Sequence, residues 1–326
     1  RKLNMDDQEY VDYPSLTVQI THSKREIEMN HKALTRKQFD VLTFLERSKE
    51  KISQRDIAEG TGMSLGSVNR TVAALAELGY VAGYNVTEAG YEALEPYRAK
   101  RAIFIAAGFG SRMVPITLNT PKPLVRVKGV RMIDTLLDAV IAAGIEEIIV
   151  VRGYLGEQFD QLKYKYPMIQ FLENPLYNEA NNISSAMIAR YLLGNAYVLE
   201  ADLVLYNPDL ITKYQYTSNY LGVPVESTDD WCFEVKNRII TKCGIGGTNC
   251  YHMFGISYWN AEDGAKLSED IQKVYRMPGG KERYWDQVAL EYCIKNYKVE
   301  VRPCTFDDII EIDTYSDLKK LDNTYC

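Results

Sequence analysis

The hydrophobic rhythm of the chain changes near Lys100. From Leu34 to about Ala99, apolar residues recur every three or four positions in short runs bounded by capping residues, which predicts small helices. Thr35 is placed to cap a helix carrying Phe39, Val41, Leu42 and Leu45, and Ser53 a second in which Ile57 and Ala58 turn inward. The segment Gly60-Thr-Gly-Met-Ser64 supplies a turn. A third helix, 64–78, sets Val68, Val72, Leu75 and Leu78 on one stripe. Residues 80–87 fit a small hairpin or wing, and 88–98 a closing helix. Beyond Lys100, short apolar runs alternate with helical patterns, the rhythm of an α/β fold: a Rossmann-like, mixed but mostly parallel sheet flanked by helices. Strands are expected at 102–106, 147–151, 169–172 and 197–201, with a helix over 132–143 ended by Gly144. The expected organisation is an extension of unassigned role over 1–33, a helical domain over 34–99 and the α/β domain over 100–326. Within the extension only a strand pair at 16–20 and 26–29 can be drawn.

A chain of 326 residues, 46% hydrophobic and 25% charged, is long enough for two domains and a sizeable core. A net charge of -6 is mild and by itself names no partner. The six cysteines, Cys232, Cys243, Cys250, Cys293, Cys304 and Cys326, include no Cys-x-x-Cys pair and no histidine at ligand spacing, so reduced thiols are expected. No apolar run is long enough to cross a bilayer, and the expected setting is cytoplasmic, with no membrane partner.

Candidate chemistry begins at Ala106-Ala-Gly-Phe-Gly-Ser-Arg112, which follows a buried strand with residues small enough for backbone N–H groups to approach an anion. No Gly-Lys-Ser/Thr follows, which excludes a P-loop. Met113 stands where the third glycine of a dinucleotide fingerprint belongs. On spacing alone, a glycine turn without a ligand stays open. Asp202 ends an expected strand and should project at the mouth of a site, although an aspartate there also serves as a cap or turn former. Asn181, Asn182, Ser184 and Ser185 precede an apolar run over 186–193, where one of them is expected to cap a helix.

With Pro115-Ile-Thr117 and Thr120-Pro-Lys-Pro-Leu124 downstream, the loop resembles the opening of nucleotidylyltransferases of the nucleotide-diphospho-sugar transferase fold. Over 101–326 the chain is similar to bacterial CTP:phosphocholine cytidylyltransferases. The similarity is carried by Val151-Arg-Gly-Tyr-Leu-Gly-Glu-Gln-Phe159, Tyr177-Asn-Glu-Ala-Asn-Asn-Ile-Ser-Ser185, Glu200-Ala-Asp202, Asp230-Trp231, Gly255-Ile-Ser-Tyr-Trp259, Arg283-Tyr-Trp-Asp286 and Ile310-Glu-Ile-Asp313. The resemblance implies that Ala106, Ala107, Gly108, Gly110 and Ser111 hold CTP, while Arg112 and Lys122 neutralise its phosphates. It also implies Gly153, Asn182 and Ser185 as cytosine and ribose contacts, and Asp202 with Asp286 as ligands of Mg²⁺. Trp231, Tyr284 and Trp285 would enclose the quaternary ammonium of phosphocholine, with Asp230 and Glu311 supplying charge. Tyr258 and Trp259 fit that cage or the core equally well. The implied reaction is cytidylyl transfer to phosphocholine, giving CDP-choline and pyrophosphate. A sugar 1-phosphate or aminoalkyl phosphonate acceptor keeps the same chemistry. A homodimer and a further C-terminal kinase domain are both compatible with the resemblance.

The helices of 34–99 resemble the winged helix-turn-helix of MarR-like regulators. Residues 1–100 carry 14 Lys+Arg against 15 Asp+Glu, so they lack a strong basic footprint. The expected recognition helix offers only Ser67, Asn69 and Arg70 to DNA. Two roles stay open: a DNA-binding regulator whose α/β half senses CTP or a choline metabolite, or a docking and self-association domain.

Overall fold

The structure, a computed structural model, describes residues 33–48 and 52–325; the strand pair drawn within 16–29 lies outside them. Helices α1 (Arg36–Arg47) and α2 (Gln54–Thr61) start at Thr35 and Ser53, each closing a capping box with Gln38 or Asp56. Helix α3 (Leu65–Glu77) buries Val68 and Leu75. Leu78 instead terminates it and is 46% exposed, because Gly79 at φ +75° turns the chain away. A two-stranded wing follows, β1 (Val81–Ala82) with β2 (Asn85–Val86). The closing helix α4 (Glu88–Leu94) is shorter than expected: at Pro96, which has no N–H to donate, the chain tightens into a 3₁₀ turn, Glu95–Tyr97.

The α/β half opens with β3 (Arg101–Ile105), the short ladder β4 (Arg126–Val127) with β5 (Val130–Arg131), and α5 (Met132–Ala142). Next come β6 (Glu147–Arg152), β7 (Gln170–Glu173), α6 (Ile183–Ala189), β8 (Ala196–Glu200) and β9 (Leu203–Leu205). The chain ends through β10 (Asn219–Lys236), β11 (Ile239–Trp259), α7 (Ala261–Tyr275), β12 (Glu300–Pro303), β13 (Ile309–Glu311) and α8 (Tyr315–Leu321). The main sheet runs β10-β12-β11-β8-β3-β6-β7, with β8, β3, β6 and β7 parallel and β11 antiparallel to β8. Strand alternation assigns the two faces: Ala102 and Phe104 pack with Leu136 and Val140 of α5, while Ile103 joins Ala186 of α6 and Leu267 of α7. With both faces covered, the central strands read as unbroken apolar runs. Their carboxyl ends then lie side by side, so the loop after β3 opens next to Glu200 and Asp202 at the end of β8.

Residues Leu34–Cys326 form one compact unit, because the winged helix is seated on the α/β half. Tyr97 and Tyr216 stack at 5.5 Å, and Phe39 lies 5.1 and 5.2 Å from them. Both tyrosine hydroxyls donate to the carbonyl of Leu34, at 3.4 and 3.1 Å. Ion pairs Arg36–Glu300 (3.0 Å) and Lys213–Glu46 (3.0 Å) flank these rings. Among the described residues no helix is long and apolar enough to cross a membrane.

Candidate active site

A cleft of about 730 Å³ opens at the carboxyl ends of β3 and β8. Its floor is the glycine loop. Ala106 continues the sheet, its N–H donating to Val151 (2.9 Å). Gly110 then turns left-handed at φ +62°, where a Cβ would lie 2.9 Å from Cβ of Lys122 and 3.1 Å from Cγ2 of Thr117. The threonine of Pro-x-Thr donates to the carbonyl of Gly110 (2.8 Å), which explains why the two motifs occur together. Gly108, Gly110, Ser111 and Arg112 line the cleft; Ala107 is buried behind it. Phe109 is exposed at the rim, 4.7 Å from the ring of Tyr154 and 5.4 Å from that of Tyr177.

Lys122 is buried, and its Nζ donates to Asp202 Oδ2 (2.8 Å) and Asp313 Oδ1 (3.3 Å). Burial works against its charge, but Asp202, with help from Asp313 and Glu311, holds the ammonium above its ordinary pKa. Arg112 reaches the other oxygen of Asp313 (2.8 Å), so both cations converge on one carboxylate. The sequence resemblance assigns no role to Asp313, in the Ile310–Asp313 stretch, or to Glu200, in Glu200-Ala-Asp202. Both stretches carry acids two residues apart in extended chain, the spacing that puts both side chains on one face.

One oxygen each from Asp202, Glu311 and Asp313 fall within 4.8 Å of one another. The β9–β13 ladder creates this grouping by pairing Leu203 with Glu311 directly after Asp202. The cost is visible in the carboxyls. Glu311 is pushed up to about 10 by burial, then by Asp202, Glu200 and Asp313. Glu200 is raised by burial and by Asp202 and Asp286. Asp286 is pushed up to about 6, chiefly by burial. Oδ1 of Asp202 is buried without a hydrogen-bond partner. Hard oxygens crowded together, one with an unused lone pair, fit a small divalent cation such as Mg²⁺. The acid grouping differs from the expected Asp202–Asp286 pair: Asp286 lines the same cleft but is not among the three clustered acids, and Glu200 feels the charge of both aspartates.

Asn182 lines the cleft, accepting from the backbone N–H of Trp285 (2.9 Å) and donating to Glu200 (3.4 Å) rather than capping α6. Ser185 does not reach the cleft: with Ser184 it is buried and accepts from Nδ2 of Asn174 (3.0 and 2.9 Å). Gly153 also lies outside the lining, directly under Tyr177, whose Cβ would stand 2.7 Å from any Cβ placed there. At the far wall, Trp231 and Tyr284 meet edge to face at 5.7 Å, and Asp230 Oδ1 accepts from the backbone N–H of Trp231 (2.7 Å). Trp285 turns the opposite way. It is 1% exposed and packs on Tyr220 and Trp259 in the core, so the aromatic corner has two walls, not three. Tyr258 and Trp259 are core residues as well. Glu311 belongs to the acid cluster, leaving Asp230 as the carboxylate adjoining Trp231.

A MarR family signature matches residues 34–84 and a nucleotidyl transferase signature residues 101–219. The chain is 37% identical to the 2-aminoethylphosphonate cytidylyltransferase of Lancefieldella rimae over 228 residues, 69% of this chain and 92% of that one. It is 33% identical to the choline-phosphate cytidylyltransferase of Streptococcus pneumoniae over 230 residues, 68% of this chain and 96% of that one. The solved structure of CTP:phosphocholine cytidylyltransferase from Streptococcus pneumoniae superposes with a TM-score of 0.65 at 32% identity, over 70% of this chain and all of that one. Fold, cleft and relatives agree: the chain belongs to the nucleotidyltransferase family, as a cytidylyltransferase with a MarR-like domain at its N-terminus.

Proposed function

We propose that the protein transfers the cytidylyl group of CTP to phosphocholine, giving CDP-choline and pyrophosphate. The observation that carries this reading is a single cleft joining a glycine loop, two converging cations and an acid trio to the Trp231–Tyr284 corner. An oxygen of the acceptor phosphate attacks the α-phosphorus of CTP in line, and the bond to pyrophosphate breaks with no covalent enzyme intermediate. The loop N–H groups cradle the triphosphate. Lys122 and Arg112 compensate charge that grows on its oxygens. Asp202, Glu311 and Asp313, with Asp286 nearby, would hold Mg²⁺, which neutralises phosphate charge when bound. Among the described residues no base is hydrogen-bonded to the Ser111 hydroxyl, and Ser111 acts as a loop residue only. At the acceptor end, a trimethylammonium lies against aromatic faces with Asp230 adding charge.

A second reading, 2-aminoethylphosphonate as acceptor, is favoured by the withdrawal of Trp285 into the core. Two aromatic faces and one carboxylate also suit a primary ammonium. Pyrophosphate release from CTP with phosphocholine, 2-aminoethylphosphonate and a sugar 1-phosphate decides between them. Phosphocholine should give the highest kcat/KM. Trp231→Ala should raise the acceptor KM about tenfold or more while leaving KM for CTP nearly unchanged. Equal turnover of a sugar 1-phosphate, or full activity in Asp202→Ala, would overturn the acceptor or the metal assignment respectively.

A further inference from the structure

A second cleft, about 380 Å³, lies in the seam between the winged helix and the α/β half and shares no lining residue with the first. Its volume falls in the range of small-ligand sites. Helix α1 lines one side, and the segment 209–217 with Asn219 of β10 and Glu300, Val301 and Arg302 of β12 the other. Five basic and four acidic side chains line it, one positive charge in excess. Arg36, Lys213 and Arg238 are spent on ion pairs with Glu300 and Glu46. Arg47 and Arg302 have no acidic partner among the described residues.

Arg302 is the informative member. Its Nη1 donates to the carbonyl of Leu210, while Nε and Nη2 are buried with no hydrogen-bond partner. Those two nitrogens form one edge of the guanidinium, the edge that grips a carboxylate or phosphate with two parallel hydrogen bonds. A buried donor left unused is destabilising, and an unused pair on one edge is rare. The β10–β12 register, Asn219 opposite Glu300 and Leu221 opposite Arg302, puts all four positions on one face of the sheet.

We propose that this seam cleft binds a small oxyanion-bearing metabolite, a phosphate or a carboxylate, held by the Nε–Nη2 edge of Arg302 with Arg47 at the rim. Both nitrogens are buried beside the cleft that Arg302 lines, so binding requires that edge to be uncovered.

The test is amide hydrogen exchange on the full chain with increasing inorganic phosphate and, separately, acetate. Saturable protection of 36–47 and 298–303 by one or both anions is expected, the more effective anion identifying the group recognised. Arg302→Gln and Arg47→Gln should each raise the half-saturating concentration about tenfold or more. Arg47 is exposed, so its variant keeps the experiment decisive if Arg302→Gln fails to fold. Lack of protection in both segments with both anions, or protection unchanged in a folded variant, would overturn the proposal.

Discussion

Replacing Lys122 by methionine removes the charge that faces the acid cluster and keeps most of the side-chain volume. The side chain is 10% exposed, and its ammonium is bonded to two carboxylates at 2.8 and 3.3 Å. Deleting one partner of a buried ion pair costs about 3–5 kcal/mol, because the other charges are left uncompensated. Uptake of protons by the crowded carboxyls offsets part of that, leaving about 2–4 kcal/mol. At about 2–4 °C per kcal/mol for a body of this size, the melting point should fall by roughly 4–16 °C. Magnesium supplies the missing positive charge among the same oxygens, so it should lift Tm of the variant more than that of the wild type. Thermal scans of both proteins with EDTA and with saturating Mg²⁺ give four values that decide the matter. Turnover of the variant should fall on the order of 10²–10³-fold even when refolded with Mg²⁺. Equal lifts by Mg²⁺ in the two proteins would refute the reasoning, since Lys122 and the cation would then not share one set of ligands.

Three further outcomes follow from the structure. Trp285→Phe should lower stability measurably in urea titrations while leaving the acceptor KM within about twofold, because the ring packs on Tyr220 and Trp259 rather than lining the cleft. Gly110→Ala should raise KM for CTP and cost about 1–3 kcal/mol, as its φ of +62° and the close Cβ of Lys122 leave no room for a methyl. Burial holds the pKa of His252 below its ordinary value, so its neutral form is the folded one: this contribution is complete above about pH 6.5 and is lost as pH falls below it. Urea midpoints at pH 8, 6 and 5 should therefore fall less steeply with acid in His252→Gln than in the wild type.

Much of the fold was legible because its signals are local. Caps at Thr35 and Ser53, and apolar runs at the central strands, depend on neighbours a few residues away. The glycine loop, Lys122 and Asp202 were legible as motif residues that the fold brings into one cleft. Glu311 was legible as a site residue but not as a partner of Asp202, and Asp313 carried no role, because Asp202 meets both only through the β9–β13 ladder, a pairing of short strands far apart in sequence. Tyr284 and Trp285 show the limit from the other side. Adjacent residues project in opposite directions, and only tertiary packing decided that Tyr284 faces the cleft and Trp285 the core. Ser185 and Gly153 likewise sit close to cleft residues in sequence, yet are spent on supporting the turn that carries Asn182 and on seating Tyr177.

The packed rings of Phe39, Tyr97 and Tyr216 have a practical consequence for the MarR-like domain. Cutting the chain near Lys100 would strip Phe39 and Tyr97 of the tyrosine they lean on, would free Glu46 from Lys213, and would leave Arg36 with Asp40 alone. Such a fragment would carry a sticky, newly charged flank, and its retention on DNA would report that flank as much as Asn69 and Arg70 on α3. Titrating duplex DNA against the uncut chain, with Arg70→Ala as the control, reads the recognition helix alone.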